Sequence, residues 1–242
     1  MTRAQLDRLG DRLRAGSTER SDLIALAEYR NQFVAATDMV AETIDSLFTS
    51  FRADISQRPS KSTQSIVAKL KREHIRLTQM QDIGGVRIIV SKIALQDRVL
   101  TKLQAVFEDY RTVDRRNSPQ FGYRAVHMIV KQDDCFIEIQ VRTRLQNVWA
   151  QSSEKLADRF GQELKYGAGQ PDVMGLLLAS GRWQRHSRRS KSRSIRRNVW
   201  ASMRSVEQVA RALSRTRSKR SGVNIRSNGR LVAESGRSLC GS

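Results

Sequence analysis

Two runs, RAVHMIV (124–130) and FIEIQVR (136–142), alternate apolar and polar residues on either side of a KQDD turn. Alternation with period two around a short, even-length turn specifies an antiparallel β-hairpin with one apolar and one polar face. In the second run Ile137, Ile139 and Val141 point one way, while Glu138, Gln140 and Arg142 point the other. A turn centred on Gln132-Asp133 sets His127 opposite Glu138, Ala125 opposite Gln140 and Tyr123 opposite Arg142. The polar face then collects an aromatic ring, an imidazole, a carboxylate and a guanidinium. The plain alternative is a solvent-facing sheet surface, which is common in antiparallel sheets.

The hairpin sits among other alternating elements. Residues 1–57 read as an N-terminal helical segment, with Leu23, Leu26, Phe33, Val40, Ile44 and Phe48 recurring at helical intervals between charges. Arg58-Pro59 breaks that helix, and Ser60 or Ser62 caps a second one running to about Arg76. VRIIV (86–90) is a β-branched strand, 93–109 a helix, YRTVDRR (110–116) a strand, and Thr143 to about Gly161 a helix. LKYG and the glycine-rich QPDVMG close the section. Strands interleaved with helices predict a mixed α/β sheet domain over 58–181.

The net charge of +20 invites a nucleic-acid reading, but residues 182–242 hold 17 of the 44 Lys and Arg and two of the 24 acids. The body is only mildly basic, so the excess charge belongs to the tail. Cys135 and Cys240 make no disulfide framework, and no apolar run is long enough to span a membrane. A protein of the reducing cytoplasm is expected, with no membrane partner.

Two further features carry chemistry. Lys61, Ser65, Lys69, Arg72 and Arg76 are spaced to form one basic stripe that begins near a helix N-terminus, where backbone N–H groups favour anions. A solvated helix face is the ordinary reading of such a stripe. In QDIGGVRIIV, Asp82 precedes a glycine pair that lets backbone approach a ligand, and Arg87 follows on the strand. Asp82 and Glu138 are candidates to share a Mg²⁺ ion.

Together RPSKSTQSIVAKLKRE, QDIGGVRIIV, FGYRAVH, IEIQVRT and the following WA resemble the synthetase domain of the RelA/SpoT alarmone synthetases, most of all the small single-domain members. The resemblance covers about residues 20–168. It implies an α/β, nucleotidyltransferase-like mixed β-sheet flanked by helices, and a transferase that moves pyrophosphate from ATP to the ribose 3′-hydroxyl of GTP or GDP. Arg58 and Arg87 would stack on the adenine, and Lys61, Ser65, Lys69 and Arg72 would hold the ATP phosphates. Asp82 and Glu138 would coordinate Mg²⁺, with Glu138 deprotonating the acceptor hydroxyl. Tyr123 would stack on the acceptor base, His127 and Arg142 would contact phosphates, and Gln140 would support the site. None of His74, His127 and His186 is followed by Asp, so the hydrolase of the long bifunctional members is not expected.

Some stretches depart from the family pattern. Pro59-Ser60 lengthens the spacing from Arg58 to Lys61, and Ser118-Pro119-Gln120-Phe121 stand where GTP-using members carry a lysine. SSEKLAD and LKYG resemble the toxic small synthetases, which use adenosine nucleotides or the 3′ end of tRNA as acceptors and have antitoxin partners. A nucleic-acid-binding module with a decayed site is the reading from another class. Oligomeric state is left open, since small synthetases are tetrameric or monomeric. Residues 182–242, Arg/Ser-rich and acid-poor, are expected to be disordered or read in a shifted frame, the rival being a basic arm that grips RNA.

Overall fold

The computed structural model describes residues 1–186 apart from Phe51 and Pro59. A five-stranded sheet of order β1-β2-β5-β4-β3 forms its centre. The strands are β1 (Asp54–Arg58), β2 (Gly84–Val90), β3 (Tyr110–Asp114), β4 (Val126–Gln132) and β5 (Cys135–Thr143). β2 and β5 run parallel in the middle, and every other pair is antiparallel. Helices α1 (Arg3–Ala15), α2 (Arg20–Leu47), α3 (Thr63–Glu73), α4 (Ile93–Val106), α5 (Arg144–Phe160) and α6 (Pro171–His186) surround it.

Strand alternation divides the sheet into two faces. Val86, Ile88, Val90, Val126, Met128, Val130, Ile137, Ile139 and Val141 share a core with Leu9 and Leu13 of α1, Leu26, Phe33, Val40 and Ile44 of α2, Ile66 and Leu70 of α3, and Val99 and Leu103 of α4. Truncating one of the fully buried isoleucines to alanine costs about 2–5 kcal/mol through lost transfer energy and an unfilled cavity. The N-terminal helices are therefore part of the same core as the sheet. A smaller cluster joins Trp149, Leu156, Leu164, Val173 and Leu177 from α5, the turn after it and α6, with Tyr123 packed against it. Trp149 Nε1 donates to the Leu177 carbonyl (3.1 Å) and the Ser180 hydroxyl (3.0 Å), which ties α6 to α5.

Several expectations are corrected. The N-terminal helical segment ends at Leu47, and residues 54–58 form edge strand β1, not helix. Only Ile55 of that strand is apolar, so its period was too weak to read. The second helix stops at Glu73, and His74 leaves it in the left-handed conformation (φ 51°). The hairpin turn is centred on Asp133-Asp134, which places His127 opposite Gln140 and Ile129 opposite Glu138. Asp133 takes a positive φ of 50°, as tight two-residue hairpin loops require and as Asp tolerates. The slip is two residues, so every side chain keeps its predicted face. QPDVMG opens helix α6, which runs past residue 181 to His186. The remainder of the expected tail, 187–242, lies outside the described residues. Among the described residues no helix is long and apolar enough to cross a membrane.

Candidate active site

The polar face of the sheet presents Arg58, Arg87, Glu138, Gln140, Arg142 and His127, all brought to one side by the strand pairings. Arg58, Gly85, Arg87, Glu138 and Gln140 line one cleft together with Ser56, Gln57 and Val86. Gly85 forms part of its floor: a Cβ there would come within 3.0 Å of the Glu138 carbonyl oxygen. Gly85 therefore serves strand packing and leaves room between Arg58 and Glu138.

Five side chains on and beside this face close a ring of hydrogen bonds. The Tyr123 hydroxyl lies 2.9 Å from His127 Nε2, and His127 Nδ1 lies 2.6 Å from Glu138 Oε1. Gln140 Nε2 donates to Glu138 Oε2 (2.6 Å). Arg142 Nη2 donates to Gln140 Oε1 (2.8 Å) and to the Tyr123 hydroxyl (2.9 Å). Because the true register sets His127 beside Gln140, its bond to Glu138 is the diagonal contact of the antiparallel pair. Burial pushes the Glu138 carboxyl up and Asp82 adds to that, but the hydrogen bonds from His127 and Gln140 and the His127 charge outweigh both and leave it below the ordinary value. Glu138 is thus held as a carboxylate.

Arg142 is 4% exposed, and its hydrogen bonds go to neutral oxygens of Tyr123, Gln140 and Asn147. The buried Nε atoms of Arg142 and Arg87 have no partner. Burial lowers the Arg87 pKa, and the charge of Arg142 lowers it further. Two neighbouring guanidiniums that repel each other suit an arriving anion, with Glu154 offsetting only part of the Arg87 charge.

A second group lies at the mouth of α3. Ser62 caps that helix by accepting from the Ser65 N–H, and the Lys61 N–H donates to the Ile83 carbonyl (2.7 Å). Asp82, just before β2, accepts from Lys61 Nζ (2.7 Å) and Lys69 Nζ (2.9 Å), while its backbone carbonyl accepts from Arg58 (3.0 Å). Burial acts to raise the Asp82 carboxyl, but the two ammonium groups overcome it and hold the pKa at about 2.

Residues 57–158 match the family described as the region found in RelA/SpoT proteins. The chain carries a RelA/SpoT region. It is 32% identical over 166 residues to an uncharacterized protein of Mycobacterium tuberculosis, Rv1366, covering 66% of this chain and 60% of that protein. Against the GTP pyrophosphokinase YjbM of Bacillus subtilis it is 28% identical over 133 residues, which is 49% of this chain and 60% of that protein. The chain thus spans about 60% of the length of these curated relatives. The small alarmone synthetase 2 of Bacillus subtilis superposes with a TM-score of 0.55 at 24% identity, covering 68% of this chain and 93% of that one. The small alarmone synthetase 1 of the same organism, bound to its product pppGpp, gives 0.54 at 17% identity, covering 81% and 98%. The fold of the RelA/SpoT region is that of the small alarmone synthetases.

The RelA/SpoT region brings together most of the residues singled out in the sequence, with one regrouping. The stripe is not one helix face: Lys61 precedes α3, and Arg76 lies beyond its end, 70% exposed and 4.0 Å from Asp7. Lys69 remains beside Lys61 on Asp82 and Ser65 meets the Ser62 hydroxyl (2.8 Å), while Arg72 turns to Glu73 Oε1 (2.9 Å) and stacks on Tyr166. Sequence reasoning missed Asn147, which reaches Arg142, and Arg30 of α2, which donates to the Ser60 (3.0 Å) and Thr63 (3.3 Å) hydroxyls at the start of α3. Arg30 carried no signal, since it is one of many charges along α2. Asn147 lies five residues after Arg142, across the strand-to-helix junction capped by Thr143, where neither strand nor helix period applies.

Among the described residues no group of three or more His, Cys, Asp or Glu could hold a metal by itself. Mg²⁺ takes one or two carboxylates and completes its shell with water and substrate phosphates, so Asp82 and Glu138, whose oxygens here meet Lys61, Lys69, His127 and Gln140, would be the protein's share of such a shell. Asp82 and Glu138 are both ionised and interact electrostatically.

The depressed Asp82 pKa also predicts a stability profile. Its ordinary value is 3.8 and its folded value about 2, so the carboxylate stabilises the fold above pH 4 and loses that contribution as pH falls through 2. A shift of this size corresponds to about 2 kcal/mol. Denaturant unfolding at about pH 5 and about pH 2 is expected to show a smaller acid loss for Asp82→Asn than for the parent chain. Equal losses would mean that the lysine pair does not stabilise the folded carboxylate.

Proposed function

We propose that the RelA/SpoT region transfers the β,γ-pyrophosphate of ATP to the ribose 3′-hydroxyl of a guanosine nucleotide, releasing AMP, in the cytoplasm. One observation carries this reading. An ionised Glu138 stands on the same sheet face as Arg142, the cation assigned to the phosphates, and the buried Nε of Arg142 lacks a partner. A carboxylate able to take a proton, set beside a cation able to take a phosphate, is what an attack by a hydroxyl on a phosphoryl group requires.

The acceptor oxygen attacks the β-phosphorus, the bond from that phosphorus to the α,β-bridging oxygen breaks, and the hydroxyl proton passes to Glu138. His127 and Gln140 hold the carboxylate in place. Lys61, Ser65, Lys69 and Arg72 bind the donor phosphates, and Arg58 and Arg87 flank the adenine in the cleft that they line. Tyr123 and His127 receive the acceptor, Arg142 bears on the transferring phosphates, and Gln140 braces the ring. Asp82 and Glu138 would hold Mg²⁺, which when bound neutralises phosphate charge. The rest is alignment, which dominates phosphoryl-transfer catalysis.

A second reading has its own support. Of the basic pair Arg115-Arg116 that precedes the stretch lacking the acceptor lysine, Arg116 is bound to Asp114 and Asp97 and only 13% exposed. An acceptor without a 5′-polyphosphate at that position, such as the 3′ end of tRNA, needs no cation there, whereas an adenosine nucleotide differs from the first reading only in its base. This reading adds an antitoxin protein as an expected partner.

Incubation with Mg²⁺ and ATP labelled in the γ position, offering GTP, GDP, ATP and deacylated tRNA separately, tests both. Label on a guanine nucleotide supports the first reading, and label on tRNA or an adenosine nucleotide the second. Absence of transfer to every acceptor would overturn both in favour of a binding module.

A further inference from the structure

Phe121 and Tyr166 are large, exposed aromatics, at 44% and 43%, and both meet the turn that follows α5. That turn is a short 3-10 helix, Gln162–Tyr166, closed by Gly167 in the left-handed conformation (φ 81°). The Arg72 guanidinium of α3 lies over the Tyr166 ring, 4.0 Å from its centroid. The next residue, Gly167, supports Phe121: a Cβ on Gly167 would fall 2.0 Å from the Phe121 ring, which therefore rests on bare backbone.

Phe121 itself has φ 49°, an uncommon conformation for an aromatic residue. It opens the tight turn from Gln120 to Tyr123, closed by a hydrogen bond from the Tyr123 N–H to the Gln120 carbonyl (2.8 Å). The other side of this turn is fixed as well. Gly122 has φ 92°, and a Cβ on it would come within 2.9 Å of the Trp149 ring. Tyr123 leaves the turn and enters the hydrogen-bonded ring. Two consecutive residues, Tyr166 and Gly167, thus touch a side chain of α3 on one hand and the turn that aims Tyr123 on the other. Rings so exposed bury little apolar area, and a positive φ at Phe121 costs energy, so stability alone is a poor account of the arrangement.

We propose that the Tyr166–Gly167 turn is a positioning strap between the two substrate subsites, Tyr166 aiming Arg72 at the donor phosphates and Gly167 seating Phe121 so that Tyr123 meets the acceptor. The inference rests on the pyrophosphate-transfer reading for the identity of the two subsites. Neither residue touches the reacting atoms, and each acts through its neighbour.

Steady-state kinetics of the full chain, with ATP and acceptor varied separately, provide the test. Tyr166→Ala is expected to raise KM for ATP about 5-fold while leaving KM for the acceptor within about 2-fold, and Tyr166→Phe to restore it, because the ring and not the hydroxyl carries the contact. Gly167→Ala is expected to do the reverse, raising only the acceptor KM. Phe121→Ala serves as the second acceptor-side variant if Gly167→Ala does not fold. Both KM values moving together in each variant, or a lower Tm with unchanged KM values, would overturn the strap. Should the parent chain transfer to no acceptor, ATP affinity measured by calorimetry decides separately. A weaker ATP complex in Tyr166→Ala, restored by Tyr166→Phe, keeps the donor arm, and equal affinities remove it.

Discussion

Replacing Glu138 by glutamine is expected to lower the single-turnover rate of pyrophosphate transfer by about 10²–10⁴-fold, the usual contribution of a positioned general base. The fold is expected to survive. Glu138 accepts from Gln140 at one oxygen and faces His127 Nδ1 at the other, so the new amide needs an acceptor on one side only. Its NH₂ turned toward His127 would meet Nδ1 as acceptor once the imidazole proton sits on Nε2, directed at the Tyr123 oxygen 2.9 Å away. The amide, imidazole and guanidinium keep partners while the Tyr123 O–H gives up its His127 acceptor, so a loss of about 1–3 kcal/mol is expected. The measurement is transfer of label from saturating ATP in one turnover, with a melting curve beside it. A variant that folds normally and transfers at the parent rate would remove Glu138 from the chemistry.

Asp82→Asn is the second substitution with a large expected effect, and it acts in two directions. In the free chain Asp82 occupies the ammonium groups of Lys61 and Lys69, at 2.7 and 2.9 Å, which are the groups proposed for the donor phosphates. In the proposed reading a donor phosphate would compete with the carboxylate for the charge of these two ammonium groups. Removing its charge is expected to tighten ATP binding in the presence of chelator by about 10-fold, the scale of a charge-assisted hydrogen bond. Transfer with Mg²⁺ is expected to fall by more than about 10²-fold, because a carboxylate suited to the ion is gone. Calorimetric titration of ATP with and without Mg²⁺ reads both effects. Unchanged affinity in chelator would mean that the lysines do not meet the phosphates.

Much of the site was legible because strand alternation is robust. Glu138, Gln140 and Arg142 could be assigned to one face from period alone, and a register error of two residues left that assignment intact. The same error misplaced the partner of His127, because the choice among KQDD of which two residues turn depends on which one accepts a positive φ. The stripe on α3 failed for a different reason. Spacing by three and four is meaningful only inside the helix, and the chain leaves it at His74, before Arg76. Strand β1 was invisible since an edge strand with one apolar side chain has no hydrophobic period, and it is identified by its pairing with β2. The closure of the five-membered ring could not be read from sequence, because it depends on rotamers set by tertiary packing around Tyr123.

The central strand pair has a consequence for how the chain is made. Gly84 pairs with Ile137 and Val90 with Thr143, so β2 finds its parallel neighbour only after α4, β3 and β4 have been added. During synthesis at about 5–20 residues per second, β2 waits several seconds with only β1 beside it and its apolar side uncovered by β5. Arg87 and Glu138 belong to those two strands and meet only when they pair. A nascent chain therefore carries α3 and β1 well before the cleft that Arg87 and Glu138 line can form.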